Sequence, residues 1–345
     1  MDVRGVRRRA GHGALAVAAL AGSLSACGGG HAASTSSTTT VHHGEKCPLT
    51  DLNPPGGGVP ARPALAVKVD NAAAARPQFG LAAADVVFEE PVEGGLTRFV
   101  AIYQCRDAAR IEPVRSARII DPAIVGQFGD HPLFGYAGGI QPAVAAIEAS
   151  TLIDVGIYRA PDAYRRDPAR SAPHNLTTST ATLYAAGEAQ HASSAPPPPV
   201  FAYGPLAPDA KAVTNVRIPY PASDVTWSWE PGPQMWFRSY PNSGPAELGE
   251  GGQISAENVI VMKVVMYPSP YVEDATGAHE NLLVLTGSGP AQIFRNGAVI
   301  TGIWSRSDLA QHTQYLDSAG NPIALSPGNT WVELVPTTVA VTASP

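Results

Sequence analysis

Cysteine, lysine and charge are all scarce in this chain. Three cysteines in 345 residues are too few for a disulfide-dense scaffold, and with no Cys-x-x-Cys among them they offer no dithiol redox site. Charged residues make up 15% and the net charge is −6, an acidic balance that excludes a nucleic-acid binder working by phosphate neutralisation. Beyond residue 30 no apolar run approaches the eighteen residues of a membrane span. Collagen repeats and coiled-coil heptads are absent, as is a Gly-x-Ser-x-Gly nucleophile elbow. Glycine and proline are plentiful instead, 34 and 33 residues. With 44% hydrophobic residues to supply a core, they point to a loop-rich globular protein of about two domains.

The first 27 residues carry an address. Arg4, Arg7, Arg8 and Arg9 precede an apolar run from about Gly13 to Leu24 that ends in Leu24-Ser25-Ala26-Cys27. Positive flank, short apolar run and small residues before a cysteine make a bacterial lipoprotein signal, residues 1–26, with Cys27 as the lipidated residue. Its removal takes away four arginines and one aspartate and shifts the net charge from −6 to −9. The expected mature protein is acidic, held to the cell membrane by its lipid, and faces the extracytoplasmic side.

Residues 27–61 open with Gly28-Gly29-Gly30 and a Ser/Thr stretch from Ser34 to Thr40, a composition that reads as a flexible tether. His31, His42 and His43 lie there without carboxylate company, so they read as solvated linker residues and no metal site is expected. With Cys27 lipidated, Cys47 and Cys105 remain as an even pair in an oxidising compartment, and a disulfide between them is expected.

Residues 62–192 read as an N-terminal α/β domain. Ala64 to Asp70, Asp85 to Glu89 and Leu96 to Gln104 are strand-like, with Gly94-Gly95 as a hairpin turn. Helices are predicted after Pro142, over Ala143 to Ser150, and from Ser179 to Gln190. Ser193-Ser194-Ala195 and four consecutive prolines open a Pro-rich linker over 193–210. Residues 211–345 read as a mostly antiparallel β domain with strands at Val225 to Glu230, Met235 to Tyr240, Val259 to Tyr267, Leu282 to Leu285, Ala291 to Phe294, Val299 to Trp304 and Trp331 to Val335, and an Asn296-Gly297 turn. The fold class is therefore α+β, an α/β sandwich followed by a β domain. All five tryptophans, Trp227, Trp229, Trp236, Trp304 and Trp331, fall in the second half, where cross-strand packing is the ordinary reading and a sugar-stacking surface the alternative.

Arginine is the informative residue. Eleven of the fifteen arginines after Cys27 lie between Arg62 and Arg170, where Lys68 is the sole lysine. Arginine suits planar, bidentate recognition of carboxylate or phosphate; codon bias and ion pairs with Asp85, Glu89, Glu90, Glu93 and Glu112 are the bland account. Three clusters matter: Glu93 to Arg98, Pro113 to Arg118, and Arg165 to Asn175. Candidate ligand residues are Arg98, Arg115, Arg118, Arg166, Arg170, His174 and Asn175. His131 and His174 are candidate acid-base groups. Ser116 reads as a turn hydroxyl, and Asp70-Asn71 as a turn cap or a metal ligand pair.

At Val67-Lys68-Val69-Asp70-Asn71, Ala75-Arg76-Pro77-Gln78, Gly80-Leu81, Ala84-Asp85, Glu93 to Arg98, Pro113 to Arg118 and Ala172 to Leu176, the chain resembles the YerB-like lipoproteins, a domain of unknown function with its own C-terminal β domain. Asn258 to Val261, Gly287-Ser288-Gly289 and Gly328 to Trp331 resemble that C-terminal partner. The resemblance runs from Arg62 to Pro336 and implies architecture and envelope location without an activity. A weaker similarity to LytR–CpsA–Psr cell-wall ligases rests on Thr97-Arg98, Arg115, Tyr136-Ala137-Gly138-Gly139 and Tyr164 to Arg170. It implies a magnesium-assisted transferase acting on a polyprenyl pyrophosphate. The chain departs from those ligases in lacking an acidic residue directly after Arg115, and Glu93 alone could serve as their carboxylate before the first strand.

Three readings follow. The leading one is a lipid-anchored binding or assembly factor with an Arg-lined anion pocket, its partner an anionic envelope ligand or a protein, with no cofactor. The second is a metal-dependent phosphoryl or glycopolymer transferase, the reading in which Mg has a place. The third is a structural module whose arginines form internal ion pairs.

Overall fold

The computed structural model describes residues 45–273 and 276–345 and the backbone of His42 and His43; the lipoprotein signal, Cys27 and His31 lie outside the described residues. The apolar, β-branched runs form strands. From the first half come β1 (Leu65–Asp70), β2 (Val86–Pro91), β3 (Thr97–Tyr103), β4 (Leu133–Gly135) and β5 (Ile153–Asp154). The second half gives β6 (Asn215–Ile218), β7 (Val225–Glu230), β8 (Met235–Tyr240), β9 (Asn258–Val264), β10 (Met266–Val272) and β11 (His279–Leu283). It ends with β12 (Gly287–Arg295), β13 (Ala298–Arg306), β14 (Thr330–Pro336) and β15 (Thr342–Ser344). Helices are fewer: α1 (Asp121–Val125), α2 (Gln141–Glu148) with Pro142 in its first turn, and α3 (Thr180–Ala189), whose N-terminus is closed by a capping box between Ser179 and Thr182.

One mixed sheet carries strands of both halves, in the order β13-β12-β9-β14-β2-β3-β1-β4-β5, with the short pieces Lys211–Ala212 and Gln314–Leu316 pairing with β13. β14 lies between β9 and β2 and runs parallel to both. A second, antiparallel sheet contains β8-β7-β6-β15. Its Trp227, Trp236, Val216 and Ile218 join one core with Val67, Val69, Phe99 and Trp331 of the large sheet. A second core holds Ala66, Phe88 and Val100 of the large sheet with Ile124 of α1 and Ile147 of α2. Residues i and i+2 of a strand share a face, so the large sheet divides its side chains between these two cores.

Two stretches pack more closely than their composition predicts. The last part of the expected tether, from Cys47 on, packs against the body, because the Cys47–Cys105 disulfide and the buried Leu49 pin it there. The residues after the proline run are likewise attached. Val200 is buried, and Tyr203 donates through its hydroxyl to the Leu49 carbonyl at 2.6 Å. The tryptophans are core residues: Trp227 packs edge-on to Trp331 at 5.3 Å and Trp236 to Phe294 at 5.9 Å. That geometry answers the sugar-platform alternative for these three, which are buried.

Candidate functional site

Strand alternation explains why charge appears on both faces of the large sheet. Glu89 and Glu90 are chain neighbours on β2 and point to opposite cores. Glu89 lies beside Glu333 in the parallel β2–β14 register, and Arg238 from β8 reaches both, Glu333 at 3.2 Å. Trp227 Nε1 donates to Glu333 Oε1 at 2.8 Å, and Phe99, Trp227, Tyr240 and Trp331 surround the guanidinium. Burial and the neighbouring Glu89 push the Glu333 carboxyl well up. The three ionic side chains are fully buried, which makes this centre a structural one.

The opposite face carries the predicted arginines. Asp70 ends β1 directly across from Arg98 on β3. Asp70 Oδ2 is approached by Arg115 Nε at 3.1 Å and by His174 Nδ1 at 2.7 Å. Burial alone would raise this carboxyl, but the Ala72 N–H, Arg98, Arg115 and His174 together bring it below its ordinary value. Arg98 is itself buried, donates to the Ser116 carbonyl at 3.1 Å and pairs with Glu93 at 3.3 Å. Burial, with Arg118 close by, lowers its pKa to about 10. Arg118 grips Glu93 through Nε at 3.1 Å and a terminal nitrogen, and it pairs with Glu273 at 2.8 Å. These contacts outweigh the burial of Glu93 and hold its carboxyl low.

The β10–β11 hairpin closes over this cluster. Glu280 on β11 accepts the Ile119 N–H, and Asn281 Nδ2 donates to the Val92 carbonyl at 2.8 Å. Burial raises Glu280 to about 7 and raises Glu273 as well.

Four of the seven predicted ligand residues, Arg98, Arg115, Arg118 and His174, thus gather around Asp70 and Glu93. The other three sit in the neighbouring loop. Arg166 donates to Asn175 Oδ1 at 2.7 Å, and Arg170 lies against Phe79 and pairs with Glu112 at 3.4 Å. Arg115 and His174 are the solvent-reaching members of the Asp70 cluster, with side chains 27% and 21% exposed against 8% and 2% for Arg98 and Arg118. His131 stands apart, with its Nδ1 at 3.0 Å from the Thr151 carbonyl. Among the described residues no three His, Cys, Asp or Glu side chains are placed to share a metal ion.

Sequence reasoning passed over Glu273 and Glu280, which come from a hairpin far along the chain from Arg118, and it gave Lys68 and Asp121 no role. Lone ionic residues inside apolar strands, such as Lys68, were the available signal.

Comparison with known proteins agrees on architecture. Residues 49–193 match the family described as "Protein of unknown function (DUF3048) N-terminal domain", and residues 216–332 match its C-terminal domain. The Bacillus subtilis protein named "Putative lipoprotein YerB" is 27% identical over 297 residues, covering 84% of this chain and 86% of that protein. The crystal structure of YerB from Bacillus subtilis superposes with a TM-score of 0.73 at 24% identity, over 86% of this chain and 99% of the other.

Proposed function

The chain belongs to the DUF3048 family, and we propose that it acts as a binding module of the cell envelope. In this reading it is tethered by lipid on Cys27 to the extracytoplasmic face of the membrane and takes an anionic group at Arg115 and His174. One observation carries it: two partly exposed side chains, the Arg115 guanidinium and the His174 imidazole, converge on a single carboxylate oxygen, Asp70 Oδ2. Asp70 orients the pair from below, and an arriving phosphate or carboxylate gains a planar guanidinium and an imidazole already in place.

The test is ligand-linked stability. Wild type and Arg115→Ala are melted with and without pyrophosphate at matched ionic strength. Wild type is expected to gain RT ln(1 + [L]/Kd), about 2.7 kcal/mol at a hundredfold excess over Kd, and Arg115→Ala to gain nothing. No shift in the wild type removes the site. Intact mass of membrane-extracted protein tests the anchor, which requires loss of residues 1–26 and a diacylglyceryl adduct on Cys27.

The structural-module reading also has its own support, because Arg98 and Arg118 share Glu93, Arg118 adds Glu273, and Arg170 has Glu112. In that case Arg115→Ala costs stability and pyrophosphate does nothing. The transferase reading is weaker on the same geometry, since Glu93, the carboxylate it needs, is held by two arginines.

A further inference from the structure

Behind the arginine cluster three ionisable side chains meet away from water. Lys68 from β1, Glu90 from β2 and Asp121, the first residue of α1, are all buried. Ala66, Phe88, Val100 and Ile124 share their core. Lys68 Nζ donates to Asp121 Oδ1 at 2.6 Å and also to Glu90 Oε1. The other Asp121 oxygen, Oδ2, accepts the Arg118 backbone N–H at 2.7 Å. Glu90 Oε2 is buried without a hydrogen-bond partner. Burial, opposed by Lys68, lifts the Glu90 carboxyl to about 7, so at neutral pH it can both hold and release a proton. One ammonium between two carboxylates in an apolar core is a costly arrangement if it stays ionic.

We propose that Lys68 and Asp121 become joined by an isopeptide bond that forms in the folded chain, with Glu90 as the proton carrier. The inference uses different residues from the anion site and stands or falls apart from it. Glu90 takes a proton from the Lys68 ammonium, and the freed amine attacks Cγ of Asp121. Charge gathers on Oδ2, where the Arg118 N–H already donates, as an oxyanion requires. The ammonium gives up two protons in all, Glu90 passes them one at a time to Oδ1, and Oδ1 leaves as water. A C–N bond forms and a C–O bond breaks, with no oxidant and no outside reactant. Ammonium and carboxylate are replaced by a neutral amide, so the dry core loses its ion pair. Packing has already brought amine and carboxylate together, which removes most of the entropic barrier to a reaction that is slow between free side chains. Pro122 follows Asp121 and has no backbone N–H, so the Asp121 carboxyl cannot cyclise onto the next residue instead.

Peptide mapping of the folded, full chain after reduction tests the bond directly. The expected wild-type result is a branched peptide joining the Lys68 and Asp121 segments, one water lighter than their sum, with trypsin failing to cut after Lys68. Asp121→Asn should give the same branched product by losing ammonia, and Glu90→Gln should give linear peptides only. Cleavage after Lys68 with both segments linear and at full mass, in wild type and Asp121→Asn alike, overturns the bond. Retention of the cross-link in Glu90→Gln overturns the role of Glu90. Should Glu90→Gln fail to fold, wild type and Asp121→Asn still establish whether the bond forms.

Discussion

Arg238 and Glu280 are both buried ionic residues, and their partners make them behave differently. Arg238 is locked between Glu89 and Glu333, and Arg238→Leu leaves these two adjacent acidic side chains without their shared cation in an aromatic core. A loss of about 3–5 kcal/mol is expected in urea denaturation, and a loss below about 1 kcal/mol would mean that both carboxyls are already neutral. Glu280 lies near Arg118, Glu273 and Asp121, yet burial dominates and its carboxyl is raised to about 7. The folded state therefore binds the Glu280 proton more tightly than the unfolded chain does. Its contribution is fully present below about pH 4.5 and is lost as the pH rises through 7. Glu280→Gln keeps an acceptor for the Ile119 N–H without the charge, so its stability should fall less than that of wild type between pH 5 and pH 8. The difference at pH 8 is expected to be on the order of 2 kcal/mol, and parallel pH profiles would disprove it.

At the scale of elements, β13 shows how a small residue admits a neighbour. A Cβ on Gly302 would stand 2.1 Å from the Leu316 carbonyl oxygen and 2.7 Å from Ile323 Cδ1. The obstacle at Leu316 is backbone, so it cannot swing aside as a side-chain tip can. Gly302→Ala should thus force Gln314–Leu316 off the edge of the sheet and cost about 1–3 kcal/mol. Hydrogen exchange that quickens at Gln314–Leu316 and leaves β9 and β14 protected is the expected signature, and unchanged exchange there would refute it. The same sheet ends in short pieces, Lys211–Ala212 on one side and the two-residue β5 on the other, which leaves little open edge for another chain to pair with.

For the whole molecule, the decisive fact is that β14 lies between β9 and β2. A fragment carrying only the N-terminal family region would expose the β14-facing edge of β2 and leave Glu89 without Arg238. Such a fragment is expected to be unfolded or aggregated, and a cooperative melt with native-like circular dichroism from residues 45–200 would contradict that. The Cys47–Cys105 bridge acts on the same scale by closing a separation of 58 residues. Cys105→Ser should lower stability by about 4 kcal/mol on the chain-entropy account, measured by denaturant titration under oxidising conditions.

Period-two patterning and turn chemistry were enough to place β1, β2, β3, β7 and β8 and the helices after Pro142 and Ser179, because those signals are local. Composition alone likewise marked the lipoprotein signal as an expectation and paired Cys47 with Cys105 by elimination. Which carboxylate each arginine meets was decided only in three dimensions. Glu93 is 25 residues from Arg118, and Glu273 and Glu280 reach it from a distant hairpin. Asp70 stands opposite Arg98 because of strand register. Nothing in the spacing of Lys68, Glu90 and Asp121 hints that they share one dry site. The reason is physical: strand identity follows from neighbours in the chain, whereas charge pairing follows from register and from which face of the sheet each residue occupies, and a parallel insertion such as β14 sets both from far away.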